Sequence, residues 1–149
     1  GLESQMLFAD RIYPVAAPSF VEEFGPLPDL EALAAVPLID IGGVHEEGWL
    51  GWPEWMRGAG APARPLRLNR INSYAIAIEA ALDGRGALLG WHSMIRGLVA
   101  DGKLVRVGGA ETASPGAYFL VRRADRPLGA EAQLLSDWLL AVGGEAAVG

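Results

Sequence analysis

The chain has 149 residues, twelve basic and eighteen acidic side chains, a formal net charge of −6 and no cysteine. That length supports one ordinary core, or one domain with pieces of another. The absent thiols exclude disulfides and thiolate metal sites, and basic residues scattered without a run or stripe argue against direct contact with DNA.

Half of the residues are apolar (51%), yet no run approaches the roughly 20 needed to span a bilayer, and no N-terminal signal pattern appears. No membrane partner is expected, and a reducing, cytoplasmic setting fits.

Gly1 to Gln5 is polar and expected to fray. Met6 to Ala16 reads as one long strand, in which Pro14 marks an edge, a bulge or a change of sheet. Pro18 suits the first turn of a helix, and Ser19 to Phe24 continues it until Gly25-Pro26. Asp29 stands at the start of a second helix, Leu30 to Ala35, where a negative charge is favourable. Pro37 ends that helix, and Leu38 to Ile41 reads as a buried strand. Gly42 to Gly48 is a loop carrying His45, Glu46 and Glu47. Trp49, Trp52, Trp55 and Met56 then recur at spacings of three and four. A helix from near Trp52 to Gly58 would hold this row, with Pro53 in its first turn, and core is the favoured role over an aromatic ligand box.

Arg64 to Val107 organises the rest. Arg64 to Leu68 reads as a strand, and Asn69 to Ser73 as a polar turn ending in residues suited to a helix N-cap. Tyr74 to Leu82 has helical spacing and stops at Gly84. Ala87 to Trp91 is apolar throughout, as in a strand buried on both faces. His92-Ser93 would cap a helix from Met94 to Ala100, and Lys103 to Val107 alternates as a strand. Strands joined by helices imply a parallel arrangement. The helix starts at Asn72-Ser73 and His92-Ser93 would then lie at the C-terminal ends of neighbouring strands. In open α/β sheets that edge binds ligands, and free helix N–H groups there favour anions. Gly108 to Gly116 reads as a connection, Ala117 to Val121 as a strand ending in Arg122-Arg123, and Ala130 to Val142 as a helix. Its apolar stripe is Leu134, Leu135, Trp138, Leu139 and Val142. Gly143-Gly144 would stop it, with the last five residues disordered. The stripe should dock on a second copy or fold back on the same chain.

Catalytic sets are sparse. His45 lies beside two glutamates and His92 at a helix start, without metal-ligand spacing. No Gly-x-Ser-x-Gly elbow occurs. Gly84-x-Gly86 precedes a strand rather than a helix, so it is no dinucleotide loop. Glu79 and Asp83 read as a solvated face. An enzyme, a metal site and a cofactor are not expected.

Several segments, in order, carry a family resemblance. They are the strand ending Pro14-Val15-Ala16-Ala17-Pro18, Asp29-Leu30 with Pro37-Leu38-Ile39, and Trp52-Pro53-Glu54-Trp55-Met56 through Gly60. Ala80-Ala81-Leu82-Asp83-Gly84-Arg85-Gly86-Ala87-Leu88-Leu89-Gly90, Leu98 to Val105, Tyr118-Phe119-Leu120-Val121 and Trp138-Leu139 follow. The chain resembles the C-terminal part of the effector-sensing domain of LysR-type transcriptional regulators, nearest the branch that contains the glycine-cleavage activator.

The resemblance implies an α/β fold like type 2 periplasmic binding proteins, with two subdomains joined by crossing strands. Residues 1–16 would be the first crossing strand, 17–116 the second subdomain and 117–122 the second crossing strand. Residues 123–149 would return to a first subdomain that is largely missing, as is the DNA-binding helix-turn-helix. The implied ligand-binding residues are Ala17, Pro18, Ser19, Ile71, Asn72, Ser73, Trp91 and His92. Ala16-Ala17 lacks the family's frequent hinge serine or cysteine, and Trp91-His92 is bulkier than usual. The implied partners are a small anionic or amino-acid-like effector, a second copy of the chain through the C-terminal helix, and DNA only through the missing segment. A solute-binding protein of an uptake system is the alternative, to be separated by what precedes the chain.

Overall fold

A computed structural model of the chain describes residues 1–41 and 49–146; His45, Glu46 and Glu47 lie outside the described residues. The strands are β1 (Leu2–Ala16), β2 (Pro37–Ile41), β3 (Arg67–Ile71), β4 (Ala87–Trp91), β5 (Val105–Arg106) and β6 (Thr112–Arg123). The helices are α1 (Pro18–Phe24), α2 (Leu30–Ala34), α3 (Trp52–Gly58), α4 (Tyr74–Leu82), α5 (His92–Ala100) and α6 (Ala130–Ala146). Residues 11–115 form one compact unit, and residues 1–10 with 116–149 form another.

The sheet runs β3-β2-β4-β1-β5, with β6 paired to β1. β2 is parallel to both β3 and β4, whereas β1 runs antiparallel to β4 and β5. The sheet is therefore mixed, and β3 and β4 are not neighbours as expected: β2 lies between them. Every residue of β4 is buried, which suits a central strand. β3 occupies the edge and starts three residues later than expected. It matches β2 residue for residue from Pro37–Arg67 to Ile41–Ile71. An edge strand with an open side tolerates the exposed Asn69 and Arg70, the polarity that reads as a turn.

Alternate residues point to opposite faces of the sheet. Ile12, Leu38, Leu89 and Trp91 join α1, α2 and α3 in one core. Tyr13, Val15, Ile39, Leu88 and Ile95 join α4 and α5 in the other. Each large side chain so buried contributes about 1.5–3 kcal/mol. Three of the four residues of the tryptophan row are core, Trp52, Trp55 and Met56 being buried, while Trp49 is half-buried. Their polar ends are satisfied, the Trp52 indole donating to the Ile39 carbonyl (2.8 Å) and that of Trp55 to Thr112 Oγ1 (2.9 Å). Asp29 caps α2, accepting from the Ala32 N–H at 2.9 Å. Gly25 (φ 85°) turns the chain out of α1. Pro14 sits inside the sheet opposite Leu89, rather than at an edge, and only its carbonyl is used there, accepting from Val107 (3.0 Å).

Other boundaries also moved. His92 is the first residue of α5 and Trp91 its N-cap, so His92-Ser93 does not cap it. β5 keeps only two residues, and β6 starts at Thr112, inside the expected connection.

In the unit of residues 1–10 and 116–149, the N-terminus is ordered strand: Glu3 pairs with Arg122, Gly1 accepts from the Ala124 N–H (3.0 Å), and Phe8 stacks on Tyr118 (4.5 Å). α6 runs through Gly143 and Gly144 instead of stopping. The reason is local: a Cβ on Gly143 would lie 2.8 Å from the Leu7 carbonyl oxygen, so glycine permits close packing here. Ser136, not the apolar stripe, is buried. Leu134, Leu135, Trp138 and Val142 of the stripe are exposed and Leu139 is half-buried.

Candidate functional site

β2 keeps its pairing with β3 to Ile41–Ile71, but its pairing with β4 ends at Ile39–Leu88. Beyond that point β2 parts from β4. Asp40 turns its carboxylate to the Trp52 N–H (3.0 Å), with the Arg70 guanidinium 3.8 Å away. The β4 groups left without a strand neighbour are met by one side chain. Tyr74, in the first turn of α4, donates its hydroxyl to the Leu89 carbonyl (3.1 Å) and accepts from the Trp91 N–H (3.0 Å). Its ring stands edge-on to Trp91 (5.6 Å between centroids), and Trp49 lies against both, at 5.5 Å from Tyr74 and 4.8 Å from Trp91. The result is a cluster of three aromatic rings at the C-terminal edge of the parallel strands. In open α/β sheets ligands bind at such an edge.

The start of α4 carries one ring of this cluster, Tyr74. Ser73 is its N-cap in extended backbone, with no side-chain capping bond. The first N–H groups of a helix have no carbonyl four residues back, and they carry the positive end of its dipole. Ile71 and Ser73 are half-buried here and Asn72 is exposed. An anionic head group matches that polarity, and an apolar or aromatic body matches the rings.

His92 follows Trp91 but is engaged by its own chain. Its ring is buried, with Nδ1 2.8 Å from the Tyr13 hydroxyl and Nε2 3.2 Å from Arg11 Nη2. Arginine only donates, so Nε2 is the acceptor in this pair, and Nδ1 meets the Tyr13 hydroxyl. The Arg106 guanidinium lies over the Tyr13 ring at 3.9 Å and pairs with Glu111. This network braces the β1–α5 side of the edge.

Of the sequence-expected residues, Ile71, Asn72, Ser73, Trp91 and His92 come together at this edge, the last two as buried ring and support. Ala17, Pro18 and Ser19 do not. β1 runs antiparallel to β4 with Ile12 opposite Trp91, so Ala17 lies five residues further along. At ~3.4 Å per residue that is about 17 Å away. Ser19 sits beside Gly84, in the turn that leads into the opposite end of β4. Tyr74, Trp49, Tyr13 and Arg11 were not expected in the site. A tyrosine directly after an N-cap serine, amid alanines and isoleucines, is the one signal that pointed to a hydroxyl with work to do.

Among the described residues no group of three or more histidines and carboxylates could hold a metal ion, and no helix is long and apolar enough to cross a membrane.

Residues 1–144 match the family model of the LysR substrate binding domain. An 88-residue stretch is 34% identical to the HTH-type transcriptional activator AmpR of Rhodobacter capsulatus, covering 59% of this chain and 30% of that protein. Among solved structures, the effector domain of AmpR from Pseudomonas aeruginosa is similar over 99% of this chain and 68% of its own, at 25% identity and a TM-score of 0.75. The CrgA regulatory domain of Neisseria meningitidis shares the fold (18% identity, TM-score 0.70, 95% of this chain and 69% of its own). These relatives are transcriptional regulators. The chain belongs to the LysR substrate binding domain family and is an effector-binding domain of the LysR type.

Proposed function

We propose that the chain senses a small anionic, amino-acid-like effector for a LysR-type regulator and thereby controls transcription. The effector's anionic group lies on the N–H groups at Ser73 and the first turn of α4, beside Ile71 and Asn72. Its body rests on Trp49, Tyr74 and Trp91, with His92 holding the cluster in place. The observation that carries this reading is the parting of β2 from β4 next to an uncapped helix start. Ala17, Pro18 and Ser19 have no part in it, because they stand at the other end of the sheet.

In the same reading, residues 1–16 and 117–122 are crossing strands, 17–116 is the second subdomain, and 123–149 belongs to the first. A preceding segment of a longer, cytoplasmic protein supplies the rest of that subdomain and the DNA-binding helix-turn-helix. The exposed Leu134, Leu135, Trp138 and Val142 of α6 support pairing with a second copy. The motif segments favour the branch of the glycine-cleavage activator, while the AmpR relatives support the family without naming a branch.

A thermal-shift screen against amino acids, small carboxylates and aromatic acids tests the site. A ligand at a hundred times its dissociation constant adds about 2.7 kcal/mol. For a domain of this size that raises the melting temperature by roughly 5–10 °C. Asn72→Asp, which sets a like charge beside the anion, should abolish the shift. A stabilising ligand unaffected by that change, or none for this chain and the full-length regulator alike, would overturn the reading.

A further inference from the structure

The unit of residues 11–115 holds a concave feature that the effector edge does not use. A cavity of about 260 Å³ opens between α3, the connection of residues 59–66 and the first half of β3. Its floor is apolar, built from Pro53, Met56, Leu66 and Leu68. Met56 belongs to the core around the tryptophan row, and Leu66 and Leu68 pack against that core. Ala61, Pro62 and Ala63 also line the space, and three small side chains on a proline-stiffened path cannot fill it. It lies away from the effector edge, since Leu68 pairs with Leu38 and precedes Ile71 by three residues.

The rim has a definite charge. Arg57 and Arg64 line the cavity, and neither guanidinium has an ion-pair or hydrogen-bond partner among the described residues. Between Glu54 and Glu79 the sequence contains four arginines and no acidic residue, in a chain whose net charge is −6. Ligand sites typically combine a mainly apolar lining with a few placed polar groups that set orientation. Here the placed groups are two guanidiniums, whose fork geometry matches a carboxylate. A plain inorganic anion would leave the floor unused, and a neutral apolar molecule would leave the arginines unused.

We propose that this cavity is a second small-molecule site, which takes an apolar carboxylate of medium length. The tail lies on Met56, Leu66 and Leu68, and the head is held by Arg57 and Arg64. The site is independent of the effector at α4.

Octanoate titrated into the 149-residue chain, with methionine and leucine methyls labelled for NMR, tests it. The expected result is saturable shifts of the Met56, Leu66 and Leu68 methyls. Arg57→Gln with Arg64→Gln should raise the octanoate dissociation constant at least tenfold while changing that of octanol less than threefold. Added salt should weaken octanoate but not octanol. Ala61→Leu, which takes up cavity volume, should weaken both. Octanoate that leaves these three methyls unmoved, or that binds the double arginine variant as well as the parent, would overturn the proposal.

Discussion

Tyr74→Phe removes one oxygen atom and leaves the ring. In the folded chain that oxygen bridges the Leu89 carbonyl at 3.1 Å and the Trp91 N–H at 3.0 Å. Both residues are buried, at 3% and 4% exposure, and β2 no longer pairs with β4 at this level. The variant therefore strands a buried donor and a buried acceptor together. A buried polar group left unsatisfied costs about 1–3 kcal/mol. The carbonyl, with the weaker demand, falls at the low end, so the pair should cost roughly 2–4 kcal/mol. Urea unfolding followed by tryptophan fluorescence would report this as a lower midpoint with an unchanged slope. A loss below about 0.5 kcal/mol, the size of an ordinary surface change, would refute the reasoning. It would mean that water reaches Leu89 and Trp91, and that the hydroxyl does not substitute for the departing strand.

Other outcomes follow from the same contacts. Gly143→Ala should destabilise the α6 unit by about 1–3 kcal/mol through overpacking, despite alanine's better helix propensity, because the added methyl meets the Leu7 backbone. Gly144→Ala, with open space around it, should stabilise the same helix by up to ~1 kcal/mol; Trp138 fluorescence during urea unfolding distinguishes the two. Asp29→Ala removes the cap on the Ala32 N–H and should cost about 1 kcal/mol in a thermal melt. The Arg123 guanidinium, bonded at 2.6 and 3.0 Å, holds the Asp125 carboxyl below its usual range. A depressed carboxyl favours the folded state above its unfolded pKa, and that contribution is lost as pH falls through the folded value. Asp125 is exposed, so the effect is to be read as its own NMR titration midpoint, which Arg123→Gln should move upward.

Much of this architecture was legible because short-range chemistry decides it. Gly25 and Gly84 end α1 and α4, Asp29 starts α2, and the spacing of Trp52, Trp55 and Met56 marks a buried helix face. Apolar continuity marks β4 as central. What was not legible depends on neighbours distant in sequence. Nothing in β3 or β4 says that β2 will insert between them, nor that β2 will leave β4 two residues before it leaves β3. The exposed Asn69 and Arg70 mimic a turn because an edge strand has one open side. Gly143 reads as a stop, yet it serves a close approach to Leu7 that only the packed unit reveals. Family position groups Ala17, Pro18 and Ser19 with the site, whereas the antiparallel run of β1 carries them to the other end of β4. Tyr74 counted as one more apolar residue of a helix stripe, since its hydroxyl's role exists only where β2 has already turned away.

The most direct test is an amide NMR titration of the chain with the amino acids and carboxylates that stabilise it. An effector held at the start of α4 should move the amides of Ser73, Tyr74, Ala75 and Ile76 most, together with the indole N–H of Trp49 and the amide of Trp91. Shifts concentrated at Ala17 to Ser19, with the α4 amides unmoved, would contradict the account.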